Sequence, residues 1–300
     1  SLIGLLSPEA VIQSIAVSDV STESARARHA CLAAEILAHD RAYYVLSAPT
    51  VTDLEYDRLY RELQQLESAH PELITPESPT QRVGGAPSEG FARVEHQRPM
   101  LSLEKVLASE EPSSVEEPDR ERRVRLQDEN TLAALSAWYA QVCKTLGRNA
   151  VPLIMEPKVD GVSLSLHYRR GKLTLGVTRG DGRFGDDITA NLRTLRSIPL
   201  QLETSNPPEW IEIRGEAYMT LEDFGTMNAR LAAAGEKVAP NPRNATSGSL
   251  KQLDPKIVAQ RPIRAVFYAV GVSEGIRFES HSDLLRQYQA WGVPVQGCWW

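Results

Sequence analysis

Two β-rich runs, Val162 to Tyr168 and Leu173 to Thr178, flank the tetrapeptide Arg169-Arg170-Gly171-Lys172, and no other feature constrains the fold as tightly. Runs of this composition separated by a short glycine-bearing turn close as an antiparallel hairpin. The stretch from Ile211 to Met219 alternates as another strand, with Ile211, Ile213 and Gly215 on one face and Glu212, Arg214 and Glu216 on the other. Ile263 to Val270 reads as a further strand, and the apolar run Val151 to Met155 as one more, leading towards the hairpin. Residues 241–249 are polar and contain Pro242 and Gly248, which predicts a structured loop.

The chain ahead of residue 75 has a different period. Thr52-Asp53-Leu54-Glu55 is a capping-box pattern, after which Tyr56, Leu59, Leu63 and Leu66 recur at helical spacing until Pro71 stops the run. A preceding helix is expected from about Thr22 to Val45, with Tyr43 and Tyr44 at its end, so that two rings and the carboxylates of Asp53 and Asp57 converge near the helix junction. Core packing for Tyr56, and a charge favourable to the helix dipole for Asp53, account for these two residues without any ligand. A helical period returns from Leu132 to Leu146. The expected fold class is α+β, a small N-terminal helical module followed by a mixed, largely antiparallel sheet domain.

Three hundred residues with 42% hydrophobic side chains can bury the cores of two domains, placed at 1–75 and 76–300. From 108 to 130 the composition turns acidic and arginine-rich, with Pro112 and Pro118 and only scattered Val and Leu, which predicts a mobile surface insertion. A formal net charge of −6 argues against this segment being a main grip on nucleic acid, because such affinity rests on phosphate neutralisation. Cys31, Cys143 and Cys298 are widely spaced, which fits a reducing, cytoplasmic setting and no zinc site. Residues 1–20 lack a basic n-region and are interrupted by Pro8, Glu9, Gln13 and Ser14, so a secretory signal is not expected, nor is a membrane span.

The chemistry centres on Lys158, in Met155-Glu156-Pro157-Lys158-Val159-Asp160-Gly161. A lysine attacks phosphorus or carbonyl carbon only when neutral, and near pH 7.5 an unperturbed ammonium is deprotonated about one part in a thousand. Burial or a nearby metal lowers its pKa, whereas Glu156 and Asp160 alone raise it, so chemistry here calls for a divalent cation or substrate phosphates. A Lys-x-Asp-Gly match arises by chance in about one chain in fifteen of this length. Taken alone, the motif reads first as a strand-end lysine paired with Asp160 before a turn glycine.

Other motifs follow in order: Thr178-Arg179-Gly180-Asp181-Gly182, Gly185-Asp186-Asp187-Ile188-Thr189-Ala190-Asn191, Ile213-Arg214-Gly215-Glu216, and the run from Asn241-Pro242-Arg243-Asn244 to Leu253-Asp254-Pro255. In order and spacing they resemble the adenylation segment of bacterial NAD-dependent DNA ligases. Upstream, Asp53-Leu54-Glu55-Tyr56-Asp57, Pro79-Thr80-Gln81-Arg82-Val83-Gly84 and Pro99-Met100-Leu101-Ser102-Leu103 are similar to that family's N-terminal signatures, so the resemblance runs from about Ala30 to Val295. It implies a helical module that recognises the nicotinamide mononucleotide (NMN) half of NAD, then a nucleotidyltransferase domain of the DNA-ligase type. Lys158 would attack NAD to form lysyl-AMP and release NMN, with Mg²⁺ offsetting the charge. AMP would then activate the 5′-phosphate of a nick in double-stranded DNA, in replication and repair.

Carried over residue by residue, the resemblance implies that Glu156 contacts adenine, Arg179 and Glu216 hold the nucleoside, Ser102 and Leu103 line its pocket, and the Tyr268 ring stacks on adenine. On sequence alone, core packing is the plainer role for Tyr268. Asp53, Leu54, Glu55, Tyr56 and Asp57, with Tyr43 and Tyr44, are implied on the nicotinamide side, and Arg243 is a candidate phosphate contact. Tyr44 stands where some relatives have histidine, and Lys251 where many have arginine, which keeps the charge but not a two-pronged contact. The chain stops at Trp300 ahead of the family's Asp-Gly-Val-Val and second-lysine motifs. The expectation is therefore a truncated, monomeric, cytoplasmic ligase fragment, with the zinc module and main DNA-binding domains in the missing part. The alternatives are an ATP-dependent ligase or RNA-capping enzyme, against which the helical Tyr43 to Asp57 module argues, and a non-catalytic NAD-binding fragment.

Overall fold

A computed structural model describes residues 8–46, 48–83, 89–103, 106 and 120–299, with side chains described from residue 23 and, in the helix that begins at 120, from 130. Helix α1 spans Pro8–Tyr44 and α2 spans Asp53–Ala69. The first begins well before the expected Thr22, because no glycine or further proline interrupts the chain after Pro8, which itself suits a first helical position. The capping box at α2 forms as read: the Thr52 hydroxyl accepts from Glu55 N, and the Glu55 carboxylate accepts from Thr52 N at 2.8 Å. Leu32 and Ile36 of α1 meet Leu59 and Leu63 of α2, with Ala33, Tyr56, Tyr60 and Leu66 packed around them. Each such buried aliphatic side chain contributes about 2 kcal/mol.

A buried carboxylate ties the next segment to this pair. Glu67 of α2 accepts hydrogen bonds from Ser78 Oγ (2.5 Å) and Thr80 Oγ1 and meets His29 Nε2 at 3.0 Å. Burial alone would raise its pKa, but these bonds prevail and hold it below the ordinary value.

Strand β1 (Arg93–Glu95) is short, and α3 runs from Arg120 to Leu146. The expected insertion is thus helical from residue 120, since nothing between Pro118 and Gly147 breaks a helix, while 108–119 lie outside the described residues. Tyr139 of α3 is bound at its hydroxyl by Val151 N (2.9 Å) and donates to Val151 O (3.0 Å). Val151 to Met155 does not form the expected strand. Pro152 and Pro157 have no N–H to give a ladder, and Leu153 and Met155 stay exposed.

Strand β2 (Val162–Arg169) turns through Arg170 and Gly171, both at positive φ, into β3 (Lys172–Thr178). This is the expected hairpin, with the two-residue turn that matches strand twist. Then come β4 (Phe184–Asp186), α4 (Thr189–Arg193), β5 (Trp210–Tyr218), α5 (Leu221–Ala233), α6 (Pro242–Leu250), α7 (Pro255–Ala259), β6 (Arg264–Glu274) and α8 (His281–Ala290). The main sheet is antiparallel in the order β3-β2-β5-β6, and β1 pairs with β4. Residues 241–249 are not a loop: Asn241 caps α6 by accepting from Asn244 N at 2.8 Å, with Pro242 at the first helical position.

The chain divides into two compact units, one holding the chain up to Pro99 together with Pro157–Cys298, the other holding Met100–Glu156. Among the described residues no helix is long and apolar enough to cross a membrane.

Candidate functional site

Lys158 lies in an extended segment immediately ahead of β2 and is exposed, beside the sheet as its motif predicted. Gly161 explains the glycine of the motif. A Cβ there would stand 2.0 Å from the carbonyl oxygen of Ala217, so only glycine lets the segment after Lys158 lie against β5. The same approach brings Gly161 N–H to the carboxylate of Glu216.

The Glu216 carboxylate is buried. The residue is 7% exposed and pairs in register with Ser163 of β2, whose hydroxyl donates to it at 2.9 Å. Tyr268 of β6 donates to it from 3.4 Å. Burial pushes the Glu216 carboxyl above the ordinary value, while the Ser163 hydrogen bond, the charge of Lys158, the Gly161 N–H and the charge of Arg243 pull it down less strongly. Arg214, which strand alternation puts on the same face as Glu216, pairs with the fully buried Glu212 (2.7 Å), and donates to the carbonyls of Arg98 (2.5 Å) and Pro99 (3.1 Å).

Around Lys158 the loop is charged. Arg243, near the start of α6, donates to Asp160 at 2.9 Å, and Lys251, just past its end, pairs with Asp186 at 2.9 Å. Arg179 is half-buried at the end of β3, where its N–H donates to Ser163 O at 3.1 Å. Lys158, Arg179, Glu216 and Tyr268 thus belong to the first unit, whereas Ser102, Leu103 and Glu156 belong to the second. Ser102 and Leu103 are exposed there and Glu156 is half-buried. Among the described residues no group of three or more acidic, His or Cys side chains could hold a metal on its own.

A second site lies in the helical region. The end of α1, the connecting turn and the first turns of α2 enclose a cleft of about 200 Å³, walled by Tyr43, Tyr44, Asp53, Tyr56 and Asp57 together with His39, Asp40 and Arg196. The convergence expected from sequence is therefore present. Leu54 points away at 75% exposure, and the Glu55 carboxylate is engaged by the capping box, so neither lines the cleft.

Sequence reading missed Asp40 and Arg196. Asp40 had a signal, since it lies one helical turn before Tyr44 on the same face of α1. It is 3% exposed, accepts from the Tyr56 hydroxyl at 2.9 Å, and burial raises its pKa. Arg196 follows α4 and had none. The Tyr56 hydroxyl takes the Arg196 hydrogen bond and donates its own proton to Asp40; burial and that carboxylate push its pKa well up.

Comparison with known proteins agrees with this arrangement. Residues 22–84 match the family model described as a DNA ligase-like, N-terminal NAD⁺-binding domain, and residues 118–298 match the NAD-dependent DNA ligase adenylation domain. The chain is 45% identical over 278 residues to a DNA ligase of Methylacidiphilum infernorum, covering 93% of this chain and 37% of that protein. It is 50% identical over 268 residues to a DNA ligase of Chloroflexus aurantiacus, covering 86% of this chain and 35% of that protein. The chain spans about a third of the length of the curated relatives it matches. A capped helical cleft of tyrosines and aspartates, followed by a Lys-x-Asp-Gly segment packed on an antiparallel sheet, is thus joined by two family matches in the same order, and the chain belongs to the NAD-dependent DNA ligase family.

Proposed function

We propose that this chain carries the NAD-reacting part of a DNA ligase, with residues 1–75 as the NMN-recognising module and 76–300 as the adenylation domain. The neutral amine of Lys158 attacks the adenylyl phosphorus of NAD. A P–N bond forms, the P–O bond to NMN breaks with its electron pair leaving on the NMN phosphate, and the ammonium proton passes to solvent. In the whole protein the AMP is then transferred to the 5′-phosphate of a DNA nick, and the adjacent 3′-hydroxyl displaces it. Nicked double-stranded DNA is accordingly the partner, and the cytoplasm the compartment.

The observation that carries this reading is the close packing of Gly161 on β5, which sets an exposed lysine beside the buried Glu216 carboxylate. A buried acceptor at a strand end suits a ribose hydroxyl, since the ligand's O–H supplies a donor where water is excluded. Arg179 and Tyr268, in the same unit as Lys158 and Glu216, complete the nucleoside site. Tyr43, Tyr44, Asp53, Tyr56 and Asp57 suit a pyridinium cation, which aromatic faces and carboxylates both attract. Mg²⁺ would be carried by the substrate phosphates and would neutralise charge as the P–O bond breaks. The test is cofactor choice: in a chain extended to the length of its relatives, NAD and not ATP should donate AMP. Equal labelling from ATP would refute the assignment.

A further inference from the structure

Beneath the NMN cleft two arginines face one carboxylate. Arg82 is 5% exposed and donates from Nη1 to the carbonyls of Arg193 (3.3 Å), Leu195 (3.2 Å) and Ile198 (3.0 Å). These three bonds span the turn that presents Arg196, so the buried arginine holds the other in place. Arg196 projects into the cleft, with its guanidinium 5.7 Å from the Tyr44 ring centroid and 5.3 Å from that of Tyr56. It donates to the Tyr56 hydroxyl at 3.0 Å and lies 3.6 Å from Asp40.

Asp40 acts on both guanidiniums. Arg82 and Asp40 are buried, whereas the Arg196 side chain is 38% exposed and lines the cleft, where a guanidinium can pair with a phosphate. Asp53 and Asp57, at the mouth on α2, are exposed and give the cleft an anionic rim. One end of the cleft thus favours a cation and the other an anion, which is the charge pattern of a nicotinamide nucleotide rather than of nicotinamide or its riboside.

We infer that Arg196, positioned by Arg82, is the phosphate-binding residue of the NMN cleft and makes it select the nucleotide over the nucleoside. The inference rests on the proposed reading of that cleft and adds to it the group that takes the ligand's negative end. An arginine reaching phosphate from a neighbouring turn couples occupation of the helical module to the segment after α4.

The test is calorimetric titration of the 300-residue chain with NMN and, separately, with nicotinamide riboside. The chain should bind NMN more tightly than the riboside, and Arg196→Gln should weaken NMN by about tenfold or more while leaving the riboside within about twofold. Arg196→Lys, which keeps the charge, should fall between, and circular dichroism of both variants reports whether the module stays folded. Equal loss of both ligands in folded variants would overturn the inference, as would unchanged or tighter NMN binding, since Arg196 would then be wall or competitor. Failure of the unaltered chain to bind either ligand would instead overturn the reading of the cleft itself, and the inference with it.

Discussion

Arg243 Nη1 stands 2.9 Å from Asp160 Oδ1, joining the start of α6 to the residue two places past Lys158. Both side chains are more than half exposed, so the pair contributes little to stability, and its charges remain open to a phosphate. Arg243→Ala should therefore change stability by less than about 0.5 kcal/mol. Its effect should fall on lysyl-AMP formation from NAD, slowed by about 10² or more. Urea denaturation read beside single-turnover adenylation separates the two.

Gly161→Ala puts a methyl group on the Ala217 carbonyl oxygen, and the strand ends must part to admit it. Stability should fall by about 1–3 kcal/mol, and adenylation should fall further than thermal stability suggests, because Lys158 is carried on the displaced segment. A lowered melting temperature with a still larger loss of activity would fit this account; wild-type melting behaviour or normal activity would not.

Glu216 has its folded-state pKa raised, so the ionised carboxylate opposes folding and its cost grows as pH rises through the shifted value. Glu216→Gln should thus leave the protein as stable at pH 7, or more so, and flatten the decline of stability above the ordinary carboxylate range. Nucleotide binding should weaken nonetheless. Melting curves from pH 4 to 8 give the sign.

Glu67 is the opposite case. Its pKa is lowered, so its contribution is present above the unfolded value of 4.5 and is lost as pH falls through the folded value. Glu67→Gln should destabilise the helical module by about 1–2 kcal/mol at pH 7 and make little difference in strong acid. Thermal unfolding at pH 7 and pH 3 tests both halves.

What could be read from sequence was local. The capping box at Thr52 and Glu55 and the hairpin through Arg170 and Gly171 are set by residues a few places apart, so pattern alone placed them. Asn241-Pro242 carried an equally local signal for a helix start, but the polarity of the residues after it disguised α6 as a loop. The run from Val151 to Met155 had strand composition and no partner, since prolines remove the donors a ladder needs. The burial of Glu216, and the meeting of Arg82, Arg196 and Asp40, depend on contacts across more than fifty residues, which no periodicity encodes. Tyr43, Tyr44, Asp53, Tyr56 and Asp57 were legible as a cluster because one helix junction brings them together.

The central claim is that Lys158 becomes the carrier of AMP, and mass mapping of the adenylated protein tests it most directly. The chain is fused to the remaining length of the Chloroflexus aurantiacus relative, incubated with NAD and Mg²⁺ without DNA, and digested. The account predicts AMP on the peptide containing Lys158, acid-labile as a phosphoramide must be, and absent from Lys158→Ala. AMP on a different residue, or retained in Lys158→Ala, would contradict it.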